Sequence, residues 1–161
     1  MTTLIDRIYG HDRWASLALL DACASLAPGQ LQLTTPGTYG AIHATLEHLV
    51  GAHERYLAVL ETGGFPPRPP QGPPASVADL RQRLARACDG LAAVAASGHA
   101  GRIIEGVRDG EPFRLGAWVL LAQAIEHGNE HRTQVCAILG AHGLPVPDLD
   151  VWAYDDALQA E

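Results

Sequence analysis

The stretch Gly116–Gly140, GAWVLLAQAIEHGNEHRTQVCAILG, joins a helical pattern of apolar residues to two closely spaced histidines. Apolar side chains recur every three or four residues along it, which predicts a helix over about 116–140. His127 and His131 are four residues apart and project from one face, as a pair of chelating imidazoles must. Gln123 and Gln134 project near the same direction. The face is therefore either a metal-binding stripe or a polar stripe turned to water.

Two imidazoles seldom hold a metal ion alone, and His48 is a third ligand that the rest of the sequence offers. It lies on a helix predicted over about 38–61. Small residues share its face and leave room for an ion and a substrate: Ala41, Ala44, Gly51 and Ala52. We therefore predict a metal site formed by His48, His127 and His131, with one coordination position open to water or substrate.

The other histidines are predicted to lie outside this site. His43 and His53 are each five residues from His48, which is about 140° around a helix, so we expect them at the surface or at an interface. Three more lie near chain ends or predicted turns, where solvated histidines are common: His11, His99 and His142.

Two further helices complete the predicted bundle. Residues 3–27 carry apolar side chains at helical spacing and stop at Pro28-Gly29. Ser76-Val77-Ala78-Asp79 is a capping-box pattern, and the apolar repeat that follows it predicts the third helix. Thr35 or Thr38 is the expected N-cap of the second helix, and Gly63-Gly64 supplies its left-handed C-terminal end.

Three segments connect or follow these helices. Phe65–Pro74, FPPRPPQGPP, predicts an extended connector, because proline rings forbid both a helix and a central strand. Asp109-Gly110 predicts the turn of a small hairpin between residues 102–108 and 111–115. The acidic tail, with Asp148, Asp150, Asp155 and Asp156, shows no convincing helix and is expected to lie back over the bundle. The predicted fold is all-α: a four-helix bundle with a β-hairpin inserted before the last long helix.

Composition narrows the classes of function. A chain of 161 residues with 47% hydrophobic content predicts one domain spanning residues 1–161. A net charge of -7 argues against nucleic-acid binding, and the sequence contains no apolar run of membrane-spanning length. Cys23, Cys88 and Cys136 are odd in number and lie in apolar helical surroundings, which is typical of free thiols in a reducing compartment. We expect a cytoplasmic protein with a small-molecule partner.

Several segments together resemble the DinB/YfiT-like family of metal-binding proteins over nearly the whole chain. HDRWASLALLDACASL, which begins at His11, is similar to the opening pattern of the family, with Trp14 and Ala15 retained. Thr45–Leu49 resembles the segment that bears the first ligand histidine. HGNEHRTQ, which begins at His127, resembles the His-x-x-x-His-Arg-Gly-Gln signature, with Thr133 in place of the usual glycine. The closing segment GLPVPDLD, which begins at Gly143, also resembles the family.

The resemblance implies a four-helix bundle of up-down-down-up topology that often pairs as a homodimer. It implies the same three ligands, His48, His127 and His131. Members of known chemistry include thiol-dependent transferases and a mycothiol-dependent isomerase, in which the metal is thought to activate a low-molecular-weight thiol. The expected cofactors are thus a divalent metal ion, zinc or nickel before iron or copper, and a low-molecular-weight thiol.

A neutral three-histidine site leaves the full charge of the ion available to acidify a thiol or a water molecule. This chemistry predicts a metalloenzyme of the thiol-dependent transferase or hydrolase type. A carboxylate usually manages protons beside such a site, and the sequence offers Glu130, Glu47 and Asp12 without choosing among them.

Two other functions are compatible with the residues. His127–His131 reads H-x-x-E-H, the inverted zinc-peptidase motif, in which Glu130 would be the general base. Such peptidases take a carboxylate ligand from a later helix, and the tail offers no convincing helix for one. The second alternative is a non-catalytic stress-response protein that binds a metal or another ligand. Joint consumption of a thiol and an electrophile by the metal-loaded protein would separate the enzyme from this binding protein.

Overall fold

The computed structural model describes residues 1–67, 72–108 and 110–160 of the chain. The secondary structure is α1 Leu4–Ala24, α2 Ile42–Thr62, α3 Val77–Ala96, β1 Ile103–Arg108, β2 Glu111–Gly116, α4 Ala117–Ala141 and α5 Val151–Gln159. Short 3₁₀ turns at Gln30–Gln32 and His99–Gly101 connect some of these elements. The four long helices and the hairpin before α4 confirm the predicted fold class.

Side-chain pairs between the helices define the up-down-down-up topology. Asp21 of α1 pairs with Arg81 and Arg13 of α1 pairs with Asp89, so α1 and α3 are antiparallel. Tyr9 of α1 donates to the Leu121 carbonyl oxygen. Farther along α1 and α4, Arg132 donates to the Ser16 hydroxyl, so these two helices are parallel.

Helix α2 runs antiparallel to α4 and parallel to α3. His48 near the start of α2 lies beside His127 and His131 in the second half of α4. On the other side of α2, Glu54 accepts two hydrogen bonds from Arg83 of α3. Because α2 and α3 are parallel, the end of α2 and the start of α3 lie at opposite ends of the bundle, and the sequence predicts an extended proline-rich connector between them. Residues 68–71 of that predicted connector lie outside the described part of the chain.

Local signals explain where the helices begin and end. Thr3 and Asp6 form a capping box at α1, and the Ser76 hydroxyl accepts from the Asp79 amide at the start of α3. Gly63 ends α2 with a left-handed φ of 78°, as its position after the last apolar residues predicts. The strands pair antiparallel, and Gly110 in their turn has a φ of 89°. Asp109, the other predicted turn residue, is outside the described residues.

Two apolar clusters are separated by a polar layer in the middle of the bundle. One cluster includes Leu19, Leu20, Cys23, Ile42, Leu46, Val50, Leu80, Leu84, Val135, Ile138 and Leu139. The other includes Tyr9, Val59, Leu60, Leu91, Ile104, Leu120, Leu121 and Ala124. On α1, α2 and α4 the stretches between these sets carry the buried polar residues Asp12, Ser16, His53, His131 and Arg132. The chemistry-bearing residues of the bundle therefore lie between its two hydrophobic halves.

The structure corrects two predicted boundaries. Helix α2 begins at Ile42 rather than near Thr38, and its N-cap, Ala41, makes no side-chain capping bond. The Thr38 hydroxyl instead donates to the Thr35 carbonyl oxygen, so these threonines stabilise a turn before the helix. Helix α1 ends at Ala24, three residues earlier than predicted, and Ser25 adopts its C-cap position.

The acidic tail was predicted without a helix, and this prediction is wrong. Residues Val151–Gln159 form α5, because the Asp150 side chain accepts hydrogen bonds from the Trp152 and Ala153 amides. The expectation that the tail lies back over the bundle is confirmed. Tyr154 of α5 packs 5.5 Å from the Trp14 ring of α1, measured between ring centroids.

Cys23, Cys88 and Cys136 are free thiols, of which the first two are buried and the third is half-buried. Burial raises the pKa of Cys23 to about 12, which keeps this thiol protonated. Within the described residues, no helix combines the length and the apolar composition that crossing a bilayer requires.

Candidate metal centre

Three imidazoles from two antiparallel helices converge at the edge of the polar layer. His127 Nε2 lies 3.1 Å from His48 Nε2 and 3.2 Å from His131 Nε2. The three rings meet edge to face, with centroids 4.2–5.0 Å apart. The group that the sequence predicts from the four-residue spacing on α4 and the small residues on α2 is therefore brought together by the fold.

Gln134 fixes the proton position on one of these rings. Its Oε1 accepts a hydrogen bond from the Tyr39 backbone amide at 3.2 Å, so the oxygen of the side-chain amide must face this way. The same oxygen lies 2.9 Å from His131 Nδ1, which therefore carries the proton. His131 Nε2, the other ring nitrogen, faces His127. This arrangement resembles the outer hydrogen bonds that orient histidine ligands in metal sites.

The surroundings favour the uncharged form of two of the three imidazoles. Burial, together with the neighbouring His131 and His48, lowers the pKa of His127 to about 4. Burial and His131 also lower the pKa of His48. Two of the three rings are therefore neutral at pH 7, with lone pairs free to bind a cation.

The spacing of the nitrogens fits a metal ion. Two histidine nitrogens bound tetrahedrally at about 2.0–2.1 Å from zinc lie roughly 3.3 Å apart. The observed separations of 3.1 and 3.2 Å are close to that value. A network of neutral imidazoles explains the geometry less well, because one N–H on His127 Nε2 can point at only one of its two neighbours. The donor set and its geometry both fit a divalent ion.

Two tyrosines that the sequence reasoning missed form walls beside the imidazoles. The Tyr39 ring stacks on His48 with a centroid distance of 4.2 Å and contacts His131 edge-on. Tyr56 lies edge-on to His127, with 6.1 Å between the ring centroids, and Gln123 lowers the pKa of its hydroxyl against the larger raising effect of burial. Tyr56 follows His48 by two helical turns, which is a usable sequence signal, whereas Tyr39 reaches the site from a loop that no periodicity describes.

The three candidate carboxylates have different surroundings. Glu130 lies on α4, accepts a hydrogen bond from Gln134, and raises the pKa of His48 and His127 against the larger effect of burial. The negative charge of Glu130 therefore acts on the imidazoles of His48 and His127. Glu47 instead accepts from the Ala75 amide and lies beside His43, where it joins α2 to the start of α3.

Asp12, the third candidate, is buried at the centre of a hydrogen-bond network. Its Oδ1 accepts from Arg132 Nη1, and its Oδ2 accepts from His53 Nε2 at 3.1 Å. Arg132 also donates to Ser16 at 2.8 Å. Burial alone would raise the pKa of Asp12, but His53 and Arg132 outweigh it and hold this pKa below its usual range.

The prediction that His53 lies at the surface or at an interface is wrong. His53 is fully buried, with Nε2 facing Asp12 and Nδ1 lying 3.0 Å from the Leu49 carbonyl oxygen. The five-residue spacing correctly directs it away from His48, but the direction faces α1 rather than solvent. His43 is half-buried beside Ala75, and His11 contacts the Leu149 carbonyl oxygen rather than only solvent. His99 and His142 are exposed.

Asp12, His53 and Cys88 also lie close enough together to resemble a metal site. Their chemistry argues against one. The buried Arg132 guanidinium already neutralises the Asp12 carboxylate and would repel a cation. Burial and the nearby Asp12 raise the pKa of Cys88, so the thiol keeps the proton that a metal would have to displace. We interpret this cluster as a hydrogen-bonded ion pair.

The carboxylates of the tail, Asp148, Asp150, Asp155 and Asp156, do not join the imidazoles in the part of the chain that the structure describes. The inverted-peptidase interpretation of H-x-x-E-H therefore lacks the later carboxylate ligand that it needs.

Comparison with known proteins gives one result that covers the full sequence. The DinB family profile matches residues 1–161. No curated protein matches the chain. The family match agrees with the mostly helical fold and with the hairpin before α4. The chain belongs to the DinB family.

Proposed function

We propose that the protein binds one divalent metal ion through His48, His127 and His131 and is a metalloenzyme of the thiol-dependent transferase or hydrolase type. The observation that carries the proposal is the convergence of three imidazoles with Nε2 separations of 3.1 and 3.2 Å. The low pKa of His48 and of His127 supports it, because neutral rings bind cations without first losing a proton.

A catalytic role follows from the number of ligands. Structural zinc sites normally close with four protein ligands, whereas catalytic sites keep one position open. Among the described residues, the group comprises three imidazoles. An ion held there would supply positive charge that lowers the pKa of a thiol or water.

Residues around the group have roles consistent with this chemistry. Glu130 is the carboxylate whose charge acts on His48 and His127, so we assign proton transfer to it. Tyr39 and Tyr56 flank the imidazoles and restrict the shape of a substrate. Zinc and nickel are the first metals to test, since three imidazole nitrogens suit both. The single-domain organisation, the homodimer and the cytoplasmic location stay predictions of the sequence.

The enzymatic proposal is tested by a turnover screen. Protein loaded with zinc or nickel is mixed with low-molecular-weight thiols and electrophilic acceptors, or separately with hydrolysable esters, and the loss of the reactants is measured. We expect joint consumption by the loaded protein and none by chelated protein or by the His131→Ala variant. Metal-loaded protein that binds its ion but consumes no thiol, acceptor or hydrolysable ester would instead favour the non-catalytic binding protein.

A further inference from the structure

We infer that Asp12 is a positioning residue for the candidate metal centre: its carboxylate bonds to α2 and α4 at once and fixes the separation of the two helices that carry the imidazoles. This inference rests on the proposed metal-binding function. It assigns a role to a buried network that the proposed chemistry does not otherwise use.

The connectivity of the network is the first support. Asp12 Oδ1 accepts from Arg132, which directly follows His131 on α4. Asp12 Oδ2 accepts from His53, which lies on α2 between His48 and Tyr56. Because each oxygen bonds to a different helix, a shift of α2 relative to α4 would break one of the two bonds. The Asp12 carboxylate thus sets the distance between His48 and His127.

Burial is the second support. Asp12, His53 and Arg132 are 2%, 0% and 3% exposed. The network lies between the two apolar clusters, where little water can replace a lost partner. The backbone of α4 approaches it closely: a methyl group added at Gly128 would lie 2.7 Å from Asp12 Oδ1 and 3.0 Å from Arg132 Nη1. Gly128 directly follows His127, so the turn that carries the α4 imidazoles rests on this network.

Charge is the third support. The Arg132 guanidinium is buried beside His131, and alone it would oppose the binding of a dication. The carboxylate of Asp12 neutralises that charge. Removal of the carboxylate should therefore weaken metal binding in two ways, by loosening the helices and by exposing the imidazoles to an unpaired positive charge.

The test is a titration of chelated protein with Co²⁺ alone, followed by visible absorption, which reports the affinity and the ligand geometry. Asp12→Asn keeps the shape of the side chain and removes its charge. Asp21→Asn is the matched control, since Asp21 lies on the same helix and pairs with Arg81 at the surface. We expect the dissociation constant of Asp12→Asn to rise about tenfold to a hundredfold with a changed absorption band, and Asp21→Asn to match the parent protein.

A folded Asp12→Asn variant with the parent dissociation constant and spectrum would overturn the inference. If circular dichroism shows that this variant has lost its helices, the same titration of His53→Gln decides: a weakened affinity supports positioning, and an unchanged one refutes it. Failure of the parent protein itself to bind Co²⁺ would refute the proposed function. Results from the variants alone bear only on the positioning role of Asp12.

Discussion

Gly128 shows how one residue links the core of this bundle to its candidate site. Alanine is the better helix former by about 1 kcal/mol. At Gly128, however, the added methyl would press on the buried Asp12 and Arg132 side chains. Overpacking costs about 1–3 kcal/mol, so we expect Gly128→Ala to be net destabilising in urea unfolding.

Gly51 provides the matched control for this substitution. It lies within α2, and a methyl group added there meets nothing within 4 Å. Gly51→Ala should therefore stabilise the protein by up to about 1 kcal/mol. Equal effects of the two substitutions would show that the contacts of Gly128 have no energetic weight.

The ionisation of Asp12 should make the free energy of unfolding of the chelated protein depend on pH in acid. Its folded pKa is lowered, so its contribution to the free energy of unfolding is complete above the unfolded value of 3.8 and is lost as pH falls through the folded pKa. At neutral pH, removing one partner of a buried ion pair costs about 3–5 kcal/mol. We expect the difference in unfolding free energy between the parent and Asp12→Asn to be large at pH 6 and to shrink below about pH 4.

The measurement is urea unfolding of both proteins across this pH range. Proton uptake by groups remote from Asp12 is common to the two proteins and cancels in the difference between them. A difference that stays constant from pH 6 to pH 3 would contradict the lowered pKa.

At the scale of single elements, α3 tests the local signals that begin a helix. The Ser76 hydroxyl accepts a hydrogen bond from the Asp79 amide at 3.1 Å. Loss of such an N-cap costs about 1 kcal/mol, so Ser76→Ala should lower the melting temperature by about 2–4 °C. The control is Ser97→Ala at the other end of α3, where the hydroxyl donates to the Val94 carbonyl oxygen and lies 2.9 Å from His99 Nδ1. An equal loss from Ser97→Ala would refute the capping role of Ser76.

The four long helices could be predicted because their signals are local. Ser76, Gly63 and the three- and four-residue apolar repeats each act within one or two turns. The predicted start of α2 near Thr38 is wrong because Thr38 and Thr35 hydrogen-bond to each other in a turn instead of capping the helix. The prediction for the tail is wrong because α5 depends on Asp150 as its N-cap and on packing against Trp14. That packing is a contact between distant parts of the chain.

The residues of the candidate site also fall into those that local sequence signals predict and those that depend on tertiary contacts. The pair on α4 follows from helical spacing, whereas the third imidazole came from the small residues around His48 and from the family resemblance. The side chains that surround the triad depend on tertiary contacts. Tyr39 arrives from a loop, and the burial of His53 requires knowing that α1 covers that face of α2.

For the whole molecule, we predict that folding does not depend on the metal ion. Two apolar clusters and the ion pair between them already stabilise the bundle. Chelated protein should therefore keep its helical circular dichroism and melt in one cooperative transition, as a single domain would. Added metal should raise the melting temperature by mass action. An unfolded apo protein would indicate a structural metal site and remove the main reason to consider the protein an enzyme.

The most direct test of the central claim is the metal content of single histidine variants. Parent protein loaded with zinc and dialysed is analysed beside His48→Ala, His127→Ala and His131→Ala. His43→Ala is the control, because His43 lies on the same helix as His48 but bonds to the Ala75 carbonyl oxygen. We predict about one zinc per chain in the parent and the control, and sharply less in the other three. A His48→Ala protein that keeps a full equivalent with unchanged affinity would contradict the three-histidine site.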